Sequence, residues 1–369
     1  MAFRLFKKKK KDQSEHKTEK RLHLRISDVI RETEDAVRIV FDEPDGGLEY
    51  QPGQFLTLIL NINGEKVRRA YSLCTSPYLS EKPAVAVKRV DKGLVSNFVN
   101  DTLKLGDIVD VLPPMGHFTP AIDKHTTRNL ILIGGGSGIT PLMGILKTVL
   151  HEESSSSITL IYANRDIDSI IFRDQLEQLK SSYTDRFNYV QSLDNPPANW
   201  DQNAGFLTLE KMKELITTLP DWNSDTTLYY VCGPQGLMNL AFEAFESLKL
   251  DHHRTFKESF LAIAPAIKDI VADNKAHREG ISHVQIKYDG EEHEFDVPFG
   301  KSILETALAQ NIDLPYSCQS GLCTACMGKC LEGEVDLSDA EALSEEERAE
   351  GYVLTCVGKP LTDRIVIEI

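Results

Sequence analysis

Four cysteines carry the strongest chemical signal in the chain. Cys318, Cys323 and Cys326 are spaced Cys-x4-Cys-x2-Cys, and Cys356 follows after 29 intervening residues. Three thiolates from one loop and a fourth from a distant strand can hold two irons and two sulfides, a 2Fe–2S cluster. Ser320, Gly321, Thr324 and Ala325 are small enough for the loop's N–H groups to turn inward onto the cluster's negative charge. Zinc sites favour paired Cys-x2-Cys knuckles and often histidine, and no histidine lies between 318 and 356. Cys330 and Cys74 read as structural residues rather than ligands.

A second pattern is Gly134-Gly135-Gly136-Ser137-Gly138-Ile139-Thr140-Pro141, which follows the apolar run 130–133 and opens a helical stretch. Glycines at a strand-to-helix turn let backbone N–H groups approach a pyrophosphate. The spacing is not the G-x-G-x-x-G of ordinary Rossmann dehydrogenases. A later apolar run ends in Val231-Cys232-Gly233-Pro234, with Met238 in the helix after it.

The elements that must position these residues fall into blocks. Residues 1–20 hold eight basic and three acidic side chains and read as a basic, solubilising tail. No apolar core follows its charges, so it does not read as a secretory signal, and the cytoplasm is the expected location. Residues 21–125 read as short strands (37–41, 54–60, 69–73, 84–90, 108–112) split by Gly and Pro, with one helix at 94–100. This pattern predicts an antiparallel β-barrel. Residues 126–255 alternate strands with helices, predicting an α/β domain on a parallel sheet. A connector is expected over 256–282. Residues 283–369 open with a hairpin turning at Asp289-Gly290, then a helix at 302–310 introduced by Ser302 and Glu305 as a capping box.

The 369 residues carry a net charge of −15, which argues against nucleic-acid binding. Residues 281–369 hold six basic and eighteen acidic side chains, −12 of that total. No run approaches the ~18 apolar residues of a membrane span.

Residues 283–369 resemble a whole plant-type ferredoxin domain of β-grasp fold. The resemblance extends to Pro298-Phe299-Gly300, Leu314-Pro315-Tyr316-Ser317 and Leu354-Thr355-Cys356-Val357. Upstream, Pro52-Gly53-Gln54-Phe55 and Arg69-Ala70-Tyr71-Ser72 resemble the flavin motifs of the ferredoxin–NADP reductase family. The resemblance implies that Arg69 pairs with flavin phosphates, that Tyr71 packs on the isoalloxazine and that Ser72 lies near its N5. It places Ala86, Val87 and Lys88 on the adenosine half, and Gly93-Leu94-Val95-Ser96 at a helix N-terminus on the pyrophosphate. The 134–141 loop is similar to the family's nicotinamide-dinucleotide loop, and Cys232 to the cysteine beside the nicotinamide.

Asn164-Arg165-Asp166 follow the strand expected at 158–162. Arg165 favours a ribose 2′-phosphate and so NADPH, whereas Asp166 suits the free hydroxyl of NADH. Lys88 and the 86–88 segment favour FAD over the FMN of phthalate-dioxygenase-type reductases.

The domain order resembles flavin reductases with a C-terminal ferredoxin domain, in particular those serving phenylacetyl-CoA epoxidase and ketosteroid 9α-hydroxylase. The implied route is NAD(P)H to FAD to 2Fe–2S to a partner oxygenase or other acceptor protein. A redox-sensing iron–sulfur protein without turnover is the alternative of a different class.

Overall fold

In the computed structural model the described residues are 21–260 and 280–369, apart from 289, 317, 318, 320, 322 and 341. The basic tail, most of the expected connector, Asp289 of the hairpin turn and Cys318 and Ser320 of the cysteine loop lie outside them.

The first block is an antiparallel sheet of β1 (Leu22–Thr33), β2 (Ala36–Phe41), β3 (Phe55–Ile62), β4 (Glu65–Ser72), β5 (Ala84–Lys88) and β6 (Ile108–Val111), with α1 (Leu94–Thr102) between the last two. Its order is β4-β3-β6-β1-β2-β5. The two ends meet through a Leu73–Val85 bridge and a bond from the Cys74 N–H to the Ala84 carbonyl, which closes the barrel. Closure removes the exposed strand edges, and the interior is filled by residues such as Leu24, Ile39, Leu58, Val87 and Val111.

The second block comprises β7 (Asn129–Gly135), α2 (Ile139–Glu152), β8 (Ser157–Asn164), α3 (Arg173–Ser182), β9 (Phe187–Leu193), β10 (Asn203–Ala204), α4 (Leu209–Thr217), β11 (Thr227–Cys232), α5 (Gln235–Leu248) and β12 (Thr255–Glu258). All pairings in this sheet are parallel, in the order β10-β9-β8-β7-β11-β12. Strand β7 is buried along its whole length, as a sheet covered on both faces requires. One face packs on α2 and α3, the other on α4 and α5.

The sequence reading ends this domain at 255 and begins the connector at 256. The structure instead places Thr255–Glu258 in the sheet, as its edge strand beside β11. Four residues, two of them charged, carry no periodicity that separates a strand from a loop.

Helix α2 is apolar nearly all round because it lies between this sheet and the barrel. Its Lys147 is satisfied by Glu81 of the barrel at 2.7 Å, and its Thr148 donates to Ser76 at 2.7 Å. One core runs from barrel residues Cys74, Ala84 and Phe118 into Leu132, Leu142 and Tyr162.

The third block comprises β13 (Ile281–Tyr288), β14 (Glu291–Pro298), α6 (Ile303–Ala309), β15 (Met327–Glu332), β16 (Val335–Asp336), α7 (Glu345–Ala349), β17 (Tyr352–Leu354), β18 (Lys359–Pro360) and β19 (Arg364–Glu368). A five-stranded mixed sheet, β14-β13-β19-β15-β17, grasps α6, whose Ile303, Leu304 and Ala307 enter its core. Ser302 caps α6 by accepting the Glu305 N–H at 3.1 Å. The Glu305 carboxylate accepts from Lys301 at 2.6 Å.

Candidate functional site

The parallel sheet changes direction between β7 and β11. From β7 the chain runs outward through β8, β9 and β10, then returns to β11 and β12 on the other side. Ligands of open α/β sheets bind beyond the strand C-termini at such a switch point. Gly134 and Cys232 sit there as register partners at the ends of β7 and β11. A Cβ on Gly138 would lie 2.1 Å from the Cys232 carbonyl oxygen, so this position admits only glycine while the loop keeps its place. Gly135 is close-packed too, with a Cβ position 2.6 Å from the Leu237 side chain and 2.8 Å from that of Pro234. The glycine loop is tied further by Tyr162, whose hydroxyl donates to the Gly136 carbonyl at 2.8 Å, and by Thr140, which donates to Ser137 at 3.0 Å. Helix α2 has Gly138 as its N-cap with no side-chain cap bond, and Pro141 lies in its first turn. That arrangement suits the pyrophosphate of a dinucleotide. Met238 is buried in α5, its N–H bonded to the Pro234 carbonyl.

Asn164 is buried at the end of β8, and Arg165 and Asp166 follow it. Asp166 caps a short 3₁₀ turn by accepting the Ser169 N–H at 2.9 Å, and it also holds the Arg165 guanidinium at 2.8 Å. Arg165 first, then Ser169, keeps the Asp166 carboxyl below the usual carboxylate range.

On the barrel, Arg69, Ala70, Tyr71 and Ser72 end β4, paired across to β3 with Ser72 opposite Phe55. Arg69 donates to the Arg68 carbonyl at 2.7 Å, and among the described residues no carboxylate pairs with it. Burial raises the Tyr71 hydroxyl far out of the physiological range, so it stays a neutral, packable ring. Ala86, Val87 and Lys88 end β5, and Lys88 Nζ would lie 3.9 Å from a Cβ at Gly136, which brings the flavin barrel against the dinucleotide loop. Gly93 caps α1 without a side-chain bond, ahead of Leu94, Val95 and Ser96. Ser96 accepts the Val90 N–H at 3.0 Å, which fixes the turn into the helix.

One residue absent from the sequence reading joins the two halves. Ser72 donates to the Glu258 carboxylate at 3.2 Å, and Glu258 is the register partner of Cys232 across β12 and β11. Burial raises the Glu258 carboxyl to about 8, with the Ser72 bond pulling the other way. Burial, then the Glu258 charge, raises the Cys232 thiol well above its ordinary value, so it is a packing and positioning group and not a thiolate nucleophile. Ser72, Cys232 and Glu258 thus converge from the barrel and two sheet strands. The only local signal for Glu258 is an acidic residue at the end of a short β-prone stretch.

In the third domain Cys326 and Cys356 are buried and Cys323 is half-buried. Thr355, fully buried, bonds the Cys326 carbonyl through its N–H at 3.1 Å and its hydroxyl at 3.2 Å, which holds the residue beside Cys356 against the loop. Gly321 has φ +75°, and a Cβ there would meet the Asp339 carbonyl at 2.0 Å. Gly321 therefore holds a backbone conformation and a close approach that only glycine takes without strain. The described thiols of Cys323, Cys326 and Cys356 are donors of the kind a 2Fe–2S cluster needs. Cys330, half-buried in β15, faces the Glu332 carbonyl at 3.3 Å. Cys74 is buried in the barrel, and desolvation pushes its thiol up to about 12.

A flavin barrel, a dinucleotide sheet and a β-grasp cysteine domain define an NAD(P)H-dependent oxidoreductase of ferredoxin type. Known families bear this out: an oxidoreductase FAD-binding domain matches residues 23–119, an oxidoreductase NAD-binding domain 132–242, and a 2Fe-2S iron-sulfur cluster binding domain 286–361. The chain is 34% identical over 354 residues to the ferredoxin reductase component of 3-ketosteroid-9-alpha-monooxygenase from Rhodococcus rhodochrous, covering 94% of this chain and 96% of that one. It is 34% identical over 352 residues to one of the subunits of 1,2-phenylacetyl-CoA epoxidase from Escherichia coli K12, with the same coverage. The chain belongs to this family of FAD-, NAD(P)H- and 2Fe–2S-dependent reductase components. Phthalate dioxygenase reductase shares the fold with a TM-score of 0.58 at 24% identity, over 95% of this chain and 98% of that one. An intact type IV self-sufficient cytochrome P450 monooxygenase contains the same fold, with a TM-score of 0.70 at 23% identity over 94% of this chain, which spans 41% of that longer one. Among the described residues no helix is long and apolar enough to cross a membrane.

Proposed function

We propose that this chain is the reductase that delivers electrons from NAD(P)H to an oxygenase, with phenylacetyl-CoA epoxidase as the first acceptor to test. The observation that carries the reading is the convergence of Ser72, Glu258 and Cys232 where the flavin barrel meets the switch point of the nicotinamide sheet. When bound, FAD takes two electrons as a hydride and releases them singly to the 2Fe–2S cluster.

The chain's own residues then have separable tasks. Arg69 and the α1 N-terminus around Gly93–Ser96 would hold the flavin's phosphates, Tyr71 would pack on its ring, and the 86–88 strand would take the adenosine half. The loop 134–141 with Cys232, Gly233, Pro234 and Met238 would seat the nicotinamide nucleotide. Glu258, protonated below about pH 8, holds a proton one hydrogen bond from Ser72. Cys318, Cys323, Cys326 and Cys356 would ligate the cluster.

The matching identity to the ketosteroid monooxygenase component supports a second acceptor of that kind. The experiment is NADH- and NADPH-driven reduction of ferricyanide and cytochrome c, followed by reconstitution with each oxygenase. No turnover in fully loaded protein would sink the reductase reading. Turnover with only the ketosteroid enzyme would reassign the partner. Mass analysis of the released flavin decides between FAD and FMN.

A further inference from the structure

We infer that Arg68, with Asp313 and Tyr316, forms a latch that seats the cysteine loop of the ferredoxin domain against the flavin barrel, which makes Arg68 a positioning residue for electron transfer between them. The inference rests on the proposed function above.

Arg68 lies in β4 immediately before Arg69. Consecutive strand residues turn to opposite faces, so the strand offers one guanidinium to the flavin motif and one to the neighbouring domain. The Arg69 guanidinium donates to the Arg68 backbone carbonyl, apart from the Arg68 guanidinium. Arg68 is only 7% exposed. A charge so buried is costly unless it is paired, and two of its partners come from the ferredoxin domain. Its Nη2 lies 2.8 Å from Asp313 Oδ1, and its guanidinium carbon is 4.3 Å from the Tyr316 ring centre. The second oxygen of Asp313 is held at 2.9 Å by Arg21, at the start of the barrel.

Both carboxylate oxygens of Asp313 are therefore gripped by barrel arginines. Leu314, the next residue, is fully buried in the ferredoxin core. The segment 313–316 is thus pinned on both sides, and Tyr316 precedes the first cluster cysteine, Cys318, by two positions. A carboxylate bridging two guanidiniums and a guanidinium over an aromatic ring fix orientation as well as distance. The latch itself makes and breaks no bond. The step it positions is one electron lost by reduced FAD and gained by the oxidised cluster.

The test uses the full-length holoprotein with Asp313→Asn, Tyr316→Leu and the conservative Asp313→Glu. Anaerobic stopped-flow with NADH follows flavin reduction and cluster bleaching separately, and hydrogen exchange follows the amides of 312–314, Tyr316 and 65–72. The expected result is an unchanged flavin step and cluster reduction slowed by about 10- to 100-fold in Asp313→Asn. Faster exchange should appear in both segments, with substantial recovery in Asp313→Glu. Unchanged cluster reduction together with unchanged exchange in Asp313→Asn and Tyr316→Leu would overturn the latch, as would equal slowing in Asp313→Asn and Asp313→Glu. If NADH failed to reduce the flavin of the parent protein, the functional reading would fall instead, and the exchange measurement would still decide the latch.

Discussion

Ser72 of the flavin motif donates a hydrogen bond of 3.2 Å to Glu258 on the edge strand of the nicotinamide sheet. The bond crosses from one domain to the other and places a carboxyl with a pKa of about 8 beside the register position of Cys232. A carboxyl raised by burial beside the flavin motif is a candidate for a group that titrates near working pH.

Replacing Glu258 by Gln should remove an ionisation near pH 8 from the pH profile of flavin reduction. It should also change stability in a defined sense. Unfolded Glu258 loses its proton near 4.5 and folded Glu258 near 8, so the folded state binds the extra proton between those values. Native stability from this group is full below the unfolded pKa and is lost as pH rises towards 8. Glu258→Gln should flatten that loss in denaturation curves taken across pH 5–8. Identical curves for the two proteins would refute the assignment.

Cys323→Ser should erase the visible and paramagnetic signatures of the cluster while NAD(P)H still reduces the flavin. Ferricyanide reduction would persist and transfer to an acceptor protein would fall to background. Failure of flavin reduction in this variant would contradict the separation of the two sites.

Gly138→Ala drives a methyl into the Cys232 carbonyl, which belongs to a central strand and cannot yield locally. Such overpacking typically costs about 1–3 kcal/mol. Thermal unfolding should register that loss, and the KM for the nicotinamide nucleotide should rise more than kcat falls.

Asp166 restrains Arg165 beside the end of β8. Asp166→Asn should release the guanidinium and remove a charge hostile to a 2′-phosphate, improving kcat/KM for NADPH relative to NADH. A preference that moves towards NADH would place nucleotide discrimination elsewhere.

Glu332, Glu334, Asp339, Glu345, Glu346 and Glu350 are exposed on the ferredoxin domain. Acidic residues exposed on the electron-delivering domain would speed encounter with a basic acceptor surface. Acceptor reduction should therefore slow as ionic strength rises, while flavin reduction by NAD(P)H holds steady. Indifference of both steps to salt would dismiss steering.

The chemistry was legible where it is contiguous. The cysteine spacing, the glycine run after an apolar strand and Arg69–Ser72 are short strings whose meaning depends on local backbone geometry. The larger strands and helices of the first two blocks followed from periodicity, α2 among them as the helix opened by the glycine loop. By itself the sequence determined the three-part architecture and the electron-carrying groups, because the strand and helix patterns, the Cys318–Cys326 spacing and the glycine run each rest on neighbours a few residues apart. Tertiary structure alone decided which distant groups meet. Glu258 sits in a four-residue strand that reads as connector, and Ser72 reaches it across 186 positions. Arg68 and Asp313 are 245 positions apart. A polar residue's partner is chosen by how domains pack, and burial then sets the cost of leaving it unpaired. Neither quantity is written in any local stretch of the chain.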